Sequence, residues 1–354
     1  MKNTIPNEII GQFREAVISL RKEPTYNEIV ESRDAVLARY QPVFSSDYIP
    51  DITEDEFRSF LEVKNNRHWS GLHRQGPRIC SSMDKLRKAL SILVDEEQHV
   101  DKRLNDANNM VSGMGKNIAT AILMITNPEC WGVWNNRSEG NLKRYNIWPK
   151  FDRGDSFGKR YEKVNKILLQ LRDLLQIDLW TLDSLWWYLD THVPYPINGD
   201  KPESTIEKEE YFGLEKHLHE FLRDNWNHLE LGKEWEIFKE PGDDEAGYEY
   251  PCDVGKIDIL AKHKREPKWL VIELKRNQTS DQTVGQLLRY IGWVKQNLAE
   301  KDDKVHGLII CHKADENLQY ALSIIPNAEL RLYEVEFHLK NPKPILLKKD
   351  KSNS

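Results

Sequence analysis

The spacing of apolar residues changes character part-way along the chain. In the first part, apolar residues recur every three or four positions, which predicts amphipathic helices. Clear examples are residues 7–21, 25–40, 83–94 and 157–175. Beyond about residue 230, short apolar runs rich in β-branched residues predict strands, with helices between them. The pattern therefore predicts an all-helical part followed by a part that mixes strands and helices.

A proline-rich segment separates the two parts. Residues 192–202 contain three prolines and one glycine, which interrupt regular structure. After it, the predicted order is helix, three strands, helix, strand, helix and strand, so we expect a mixed sheet flanked by helices. The expected fold class is α+β overall, with an all-α N-terminal domain before an α/β domain. The predicted divisions are a helical domain at 1–192, a linker at 193–206, an α/β domain at 207–340 and a polar tail at 341–354.

Composition narrows the class of protein. Charged residues make up 31% of the 354 residues and hydrophobic residues 39%, as in ordinary globular proteins. No apolar run approaches the ~20 residues that span a bilayer, and the first residues lack a secretion-signal pattern, so we expect no membrane partner. The four cysteines form no CxxC pair, which makes a reducing cytoplasm the expected location. With a net charge of -6, any binding to DNA would depend on a local basic surface.

Three charged residues interrupt the apolar runs of residues 255–260 and 269–276. They are Asp258, Glu273 and Lys275. A charge inside a strand is costly unless it is paired or binds a ligand. One interpretation is an ordinary hairpin with a cross-strand ion pair. The other is a site in which carboxylates hold a hard divalent cation and the ammonium positions water at a phosphate.

Residues 64–78 form a basic stretch that contains glycine, proline and an aromatic residue, which predicts a loop. In one interpretation, Arg67 and Arg74 contact DNA phosphates and Trp69 stacks on or wedges beside a base. The alternative is a solvated loop whose tryptophan is anchored in the core.

A second candidate DNA-binding segment lies within residues 105–145. Gly113 and Gly115 flank one apolar residue, and Lys116 then begins a helix of small and apolar residues. The segment resembles the helix-hairpin-helix motif of DNA-binding proteins, including base-excision glycosylases. In that motif, glycines allow a tight turn and the amides of the next helix bind a DNA phosphate. The alternative is a Gly-x-Gly turn between two packed helices.

In helix-hairpin-helix glycosylases a catalytic Asp follows the hairpin, in a neighbourhood where this chain has Asn135 and Asn136. An amide cannot act as a carboxylate base, so the resemblance implies a region that reads DNA without cutting the glycosidic bond. A glycosylase activity of residues 100–150 is a separate hypothesis, which release of free base from duplex DNA would test.

The second part of the chain contains several short motifs in the order in which one nuclease family has them. They are residues 214–222 (LEKHLHEFL), 229–232 (LELG), 255–260 (GKIDIL), 271–276 (VIELKR) and 284–290 (VGQLLRY). This order resembles the PD-(D/E)XK nuclease fold and, within it, the NucS family of DNA endonucleases. The resemblance covers about residues 207–338. It does not extend to residues 1–200, where NucS proteins carry a β-rich DNA-binding and dimerisation domain, so it implies no mismatch or branched-DNA specificity for this chain.

The resemblance implies a role for each charged residue of the hairpin. Asp258 and Glu273 would be metal ligands, and the Leu274 carbonyl would be a third. Lys275 would orient or polarise the attacking water. Mg²⁺ is the implied metal, and Mn²⁺ is expected to substitute for it.

Other residues would complete the site by the same resemblance. Glu215 would add a carboxylate through water or to a second metal; Glu220 is the alternative, although the family pattern favours Glu215. Gln286 and Tyr290, one helical turn apart, would bond the active-site lysine or a substrate phosphate. Beside this set, Arg276 and Arg289 are candidates to contact the DNA backbone, and the alternative is that both are solvated.

These expectations combine into a metal-dependent DNA endonuclease. The helical domain would recognise a modified, damaged or mismatched base, in restriction or repair, and the second domain would hydrolyse a phosphodiester bond. The alternative is a nuclease-like DNA-binding protein without cleavage activity. A homodimer is a candidate assembly that the sequence does not decide.

Overall fold

A computed structural model describes residues 5–193, 218–275 and 281–334. Residues 5–193 form helices and no strand. The helices are α1 (Asn7–Leu20), α2 (Tyr26–Tyr40), α3 (Glu54–Leu61), α4 (Val63–Asn66), α5 (Gly76–Ile79), α6 (Met83–Val94), α7 (Val100–Met110), α8 (Lys116–Thr126), α9 (Asn136–Arg144), α10 (Phe157–Leu175) and α11 (Leu179–His192), with 3-10 turns at Ile49–Asp51 and Leu72–Gln75.

Local sequence signals explain where several helices begin. Thr53 caps α3 by accepting the N–H of Glu56, and the Glu56 carboxylate accepts the N–H of Thr53 in return. Ser156 and Asp178 cap α10 and α11 with one side-chain hydrogen bond each. These caps satisfy backbone donors that the first turn of a helix would otherwise leave unpaired.

One hydrophobic core runs through the helical part, and it is rich in aromatic side chains. Trp134 lies before α9, while Trp180 and Trp186 lie on α11, and all three are fully buried. Large aromatic rings contribute much of the apolar area that a core removes from water. The helices therefore pack as one unit around α8, α10 and α11.

Residues 218–334 contain a six-stranded sheet with helices on both of its faces. The strands are β1 (Trp235–Ile237), β2 (Tyr248–Cys252), β3 (Gly255–His263), β4 (Lys268–Lys275), β5 (Lys304–Cys311) and β6 (Ala328–Leu332). The helices are α12, described over residues 218–225, then α13 (Glu230–Glu234), α14 (Asp281–Asn297) and α15 (Glu316–Ser323), with a 3-10 turn at Trp226–His228.

The sheet combines both kinds of strand pairing. β3 and β4 form an antiparallel hairpin, in which Ile259 lies opposite Ile272, and β1 and β2 also pair antiparallel with β3. β4, β5 and β6 run parallel to one another. A mixed sheet after an all-helical part confirms the predicted α+β fold class.

The two parts of the chain contact each other where α9 packs against β2. The Lys143 ammonium donates to the carbonyl of Pro251 at 2.9 Å, and the Asn136 amide donates to the carbonyl of Tyr248 at 3.0 Å. The predicted linker beyond Val193 and the polar tail at 341–354 lie outside the described residues, so the predicted domain limits stay predictions. No helix of the described ranges is long and apolar enough to cross a membrane.

Candidate active site and DNA interface

Asp258 lies where the main-chain ladder between β3 and β4 stops. The paired positions end at Ile259 and Ile272, and the Asp258 carboxylate accepts the N–H of Leu274 at 2.8 Å. On either side of Asp258, Ile257 and Ile259 pack in different hydrophobic cores, on opposite faces of the sheet. Ile257 and Ile259 therefore face opposite sides of the sheet although they are two residues apart. At Asp258, the side-chain carboxylate accepts the Leu274 N–H in place of a backbone carbonyl.

Glu273 and Lys275 lie two residues apart on β4, which places them on the same face of the strand. The Lys275 ammonium lies 2.7 Å from the Glu273 carboxylate. Glu273 is buried, whereas the Lys275 side chain is 28% exposed. We call Asp258, Glu273 and Lys275 the hairpin cluster, in which two carboxylates share the neighbourhood of one ammonium.

Burial raises the pKa of the Asp258 carboxyl above its ordinary value, although the Lys275 charge and the Leu274 N–H act in the opposite direction. The surroundings thus compensate the negative charge of Asp258 incompletely. A carboxylate that lacks sufficient positive charge is suited to a hard cation, which prefers oxygen ligands.

These residues fit a divalent cation of the Mg²⁺ type. Within the described ranges, no group of three or more His, Cys, Asp or Glu side chains is arranged to hold a metal. Mg²⁺ does not require such a cage, because proteins commonly hold it with one or two carboxylates together with water and substrate phosphates. Asp258 and Glu273 would supply the two carboxylates; Glu215 and Arg276 lie outside the described residues.

His219 is a neighbour of the site that the sequence interpretation missed. Its Nε2 bonds the carbonyl oxygen of Asp258 at 3.1 Å, from α12. The available signal was spacing, since His219 follows the predicted Glu215 by four residues, which is one turn of a helix.

Tyr290 supports the hairpin instead of bonding the lysine of the site. Its hydroxyl accepts the N–H of Lys256 at 3.2 Å and the amide N–H of Gln286 at 3.1 Å. It also lies over Gly255, whose φ of 136° favours glycine and where a Cβ would come within 2.6 Å of the hydroxyl. Among the described residues Tyr290 makes no bond to Lys275, so that part of the expectation is corrected. A phosphate contact by Tyr290 or Gln286 stays a prediction.

Comparison with known proteins places this site in a familiar domain. Residues 237–343 match the family model for the endonuclease NucS C-terminal domain. Endonuclease NucS of Methanocaldococcus jannaschii is 32% identical over 125 residues, which cover 31% of this chain and 46% of the relative. The C-terminal part of this chain is NucS-like, and we call the sheet and helices of residues 218–334 the NucS-like domain. The chain matches less than half of that relative's length.

Two solved structures were also similar to parts of the chain. A repair endonuclease from Pyrococcus abyssi matches 38% of this chain and 50% of its own, with 18% identity and a TM-score of 0.24. The 8-oxoguanine DNA glycosylase of Thermotoga maritima matches 52% of this chain and 99% of its own, with 16% identity and a TM-score of 0.36. Both TM-scores are low, and neither match bears on function.

The basic stretch at residues 64–78, predicted as a loop, holds a buried tryptophan. Trp69 is only 5% exposed, and its indole N–H donates to Asp183 at 2.9 Å while its ring packs near Trp180. The expected stacking of Trp69 on a DNA base is therefore wrong for this structure, and the core-anchored alternative holds. Arg67, in contrast, is exposed and has a left-handed backbone with φ of 54°, so a phosphate contact there stays a prediction.

Arg74 connects the helical part to the NucS-like domain. Its guanidinium pairs with Glu220 at 3.2 Å and with Asp224 at 3.3 Å, both on α12. The structure thus gives Arg74 two carboxylate partners in place of the predicted phosphate. Glu220, the alternative to Glu215 as a residue of the site, is thus paired with an arginine of the helical part.

The turn at Gly113 and Gly115 before α8 also contacts another part of the protein at the position where a DNA phosphate was expected. Gly113 makes the tight turn, with φ of 94°. The N–H of Lys116 donates to the carbonyl of Gly242 at 2.7 Å, and a Cβ at Gly115 would lie 2.1 Å from that oxygen. A loop of the NucS-like domain therefore occupies the start of α8. The predicted phosphate contacts of the Lys116 N–H and of Gly115 are corrected to contacts with Gly242, whereas a DNA contact by Gly113 stays a prediction.

The side chain of Lys116 lies in a buried network between the two parts. Its ammonium pairs with Glu139 at 2.8 Å and with Asp243 at 3.0 Å, and Lys143 pairs with Glu139 at 2.7 Å. The indole N–H of Trp134 donates to Glu139 as well, at 2.9 Å. We call Lys116, Glu139, Lys143 and Asp243 the junction cluster.

Attraction outweighs burial in the junction cluster. Burial alone would raise the pKa of Glu139, but the ammonium groups of Lys116 and Lys143 hold that pKa well below its usual range. Burial alone would lower the pKa of Lys116, but Glu139 and Asp243 hold it above its usual value. Both residues therefore stay ionised, and Lys116 joins the two parts of the chain through its pair with Asp243.

Asn135 and Asn136 have structural contacts at the start of α9. The Asn135 side chain caps the helix by accepting the N–H of Ser138 at 2.8 Å, and its amide points to Asp183 at 3.4 Å. The Asn136 amide bonds β2, as described above. Neither contact supplies the carboxylate base that a glycosylase would need.

Proposed function

We propose that this protein is a metal-dependent DNA endonuclease that hydrolyses phosphodiester bonds. The observation that carries the proposal is the hairpin cluster, which lies in a NucS-like domain and contains an incompletely compensated carboxylate beside a buried one. The family match supports the nuclease class, while the metal and the substrate belong to the proposal.

Asp258 and Glu273 would hold the cation, with the Leu274 carbonyl as a third ligand. A bound Mg²⁺ supplies a more acidic water and neutralises charge that builds on the phosphate oxygens. The ammonium of Lys275 is partly exposed and fixed by Glu273, so it is placed to orient the attacking water beside the phosphate. His219 bonds the Asp258 carbonyl and would hold the strand in position.

The helical part would select the DNA. Exposed arginines at its surface, among them Arg67, Arg78 and Arg137, provide the local basic groups that a chain of net charge -6 requires. We propose that they bind the DNA backbone around a modified, damaged or mismatched base, in restriction or repair.

Cleavage assays test the proposal. Plasmid, linear and modified DNAs would be incubated with the full chain and Mg²⁺ or Mn²⁺, and with EDTA as a blank. We expect metal-dependent strand breaks that Asp258→Asn abolishes. Asp302→Asn, which changes an exposed Asp of the same domain, should cleave as the wild type does. Cleavage that Asp258→Asn leaves intact would contradict the proposal, and DNA binding without cleavage would favour the non-cleaving alternative.

A further inference from the structure

A cleft of about 790 Å³ lies between the helical part and the NucS-like domain. The helical part contributes the loop around Arg67 to Leu72, the start of α9 and one side of α11. The NucS-like domain contributes the loop at 242–245 and the strand residues Glu249 and Lys256. Its volume lies within the range of about 300–1,000 Å³ that is usual for small-ligand sites.

One wall of the cleft is an ordered group of polar and aromatic side chains. Asp183 is 7% exposed and accepts from His68 Nε2 at 2.8 Å, from the Trp69 indole at 2.9 Å and from Asn135 at 3.4 Å. Among the described residues, no Lys or Arg pairs with Asp183. A buried carboxylate that accepts several hydrogen bonds fixes the orientation of the groups that donate them.

His68 is the member of this group that presents a polar edge to the cleft. Its ring lies against Trp180, with centroids 4.5 Å apart and planes inclined by 32°. Asp183 holds Nε2 as the donor, which leaves Nδ1 as an acceptor in the neutral ring, and no described residue bonds Nδ1. A flat, hydrogen-bonding ligand can therefore meet both a ring face and an acceptor here.

The charges of the cleft favour a neutral group inside and phosphates outside. Asp183 is the buried carboxylate of the lining and would repel a polyanion from that wall, whereas Asp190 and Glu249 are exposed and pair with Arg137 and Lys256. Arg67 and Arg78 also line the cleft and are exposed, so their cationic ends can reach a DNA backbone at the rim. A nucleobase has this combination, since it is neutral and planar and remains tethered to phosphates.

The cleft also lies beside the hairpin cluster. Lys256, which lines the cleft, precedes Asp258 by two residues on β3, or about 7 Å along the strand. A nucleotide whose base occupies the cleft would therefore bring a neighbouring phosphodiester near Asp258.

We propose that this cleft binds a single nucleobase that has left the base stack of the DNA, with the ring of His68 and the Asp183–Asn135 group as its recognition wall. The inference rests on the proposed function, because it takes DNA as the substrate. Extruding a base from a duplex costs a few kcal/mol, and the cost is lowest for an unpaired or mismatched base. The cleft would thus select DNA by the ease with which one base leaves the stack.

A binding experiment isolates the base. The full chain would be titrated with two duplexes in Ca²⁺, as a metal that does not support cleavage. One duplex has a single unpaired nucleotide, and the other has an abasic site at that same position, so only the base differs. We expect the duplex with the base to bind about tenfold more tightly, the scale of one stacked base. Equal affinity for the two duplexes would overturn the inference.

Matched variants assign the effect to the cleft. His68→Ala should remove the preference, whereas His99→Ala, which changes an exposed His that also pairs with an Asp, should keep it. Should His68→Ala fail to fold, Ser70→Trp fills the cleft from an exposed lining position, with Ser81→Trp as its exposed control away from the cleft. A preference that survives Ser70→Trp would also overturn the inference.

The outcomes separate this inference from the proposed function. Metal-dependent cleavage together with equal affinities would leave the endonuclease standing and remove the base-binding cleft. A base preference that His68→Ala removes, without cleavage in Mg²⁺, would support the cleft and contradict the endonuclease. Absence of any DNA binding would contradict both.

Discussion

Burial raises the carboxyl pKa in both charged clusters of this protein, and the neighbouring charges decide the net shift of each. In the junction cluster, ion pairs outweigh burial, and the pKa of Glu139 lies well below its usual range. In the hairpin cluster, burial outweighs the neighbouring charges, and the pKa of Asp258 is raised. A carboxylate with several cationic partners stays ionised inside the protein, whereas one with too few partners would be stabilised by a cation from outside, as we propose for Asp258.

The composition of the clusters explains this difference. Glu139 receives two ammonium groups and one indole N–H. Asp258 receives one backbone N–H, and the Lys275 ammonium that attracts it is 2.7 Å from Glu273. The sign and number of partners, more than burial alone, therefore decide whether a buried carboxylate is compensated within the protein.

The largest expected effect is on cleavage by the hairpin cluster. Asp258→Asn should lower the cleavage rate in Mg²⁺ about 1,000-fold or more, because it removes a ligand of the cation that stabilises the transition state. The thermal unfolding midpoint should stay the same or rise, since Asn keeps an acceptor for the Leu274 N–H and removes a poorly compensated charge. A large loss of thermal stability in Asp258→Asn would show that the carboxylate is structural.

The junction cluster should respond in the opposite way. Lys116→Met should destabilise the protein by about 3 kcal/mol or more, because it leaves Asp243 buried without its cation. Chemical denaturation would measure the loss, with Lys166→Met on the exposed side of α10 as the control. If both variants unfold at the same denaturant concentration, the junction cluster does not join the two parts.

The stability that Glu139 provides should depend on pH. Its pKa is lower in the folded protein than the ordinary value of about 4.3, so its contribution is complete above that pH and is lost as pH falls toward the folded pKa. The stability difference between wild type and Glu139→Gln should therefore be constant near neutral pH and shrink below about pH 4.5. Unfolding midpoints of both proteins across this range measure it; a constant difference would contradict the assignment.

The smallest expected effect is at the support of the hairpin. Tyr290→Phe should cost about 1 kcal/mol, because the Lys256 N–H loses its acceptor. Cleavage should fall only a few-fold, since the hydroxyl holds β3 and does not contact the hairpin cluster directly. Tyr320→Phe, at an exposed tyrosine, is the control. A loss of cleavage as large as that of Asp258→Asn would show that Tyr290 takes part directly in the cleavage reaction.

Local patterns in the sequence predicted the hairpin and its charges but not the contacts between the two parts. Alternation and turn residues define strands, so β3, β4 and the position of Asp258 followed from neighbours in the sequence. Lys116 and Asp243 are far apart in the chain, and no periodicity reports their contact. For the same reason, the sequence interpretation expected a phosphate at the start of α8, whereas the Lys116 N–H there donates to the carbonyl of Gly242 in the NucS-like domain.

Distant contacts also decided the residues that the sequence interpretation placed wrongly or missed. Trp69 is a core residue because Asp183, on α11, accepts its indole N–H. The pairing of His68 with Asp183 had no local signal either. These side chains could be assigned only when helices distant in sequence were brought together.

Metal binding measured directly on three proteins tests the central claim. Mn²⁺ would be titrated by calorimetry into wild type, Asp258→Asn and Glu139→Gln at a temperature where each is folded. We predict that wild type and Glu139→Gln bind Mn²⁺ with similar affinity and that Asp258→Asn binds at least about tenfold more weakly. Equal binding by wild type and Asp258→Asn would contradict the assignment of the hairpin cluster as the metal site.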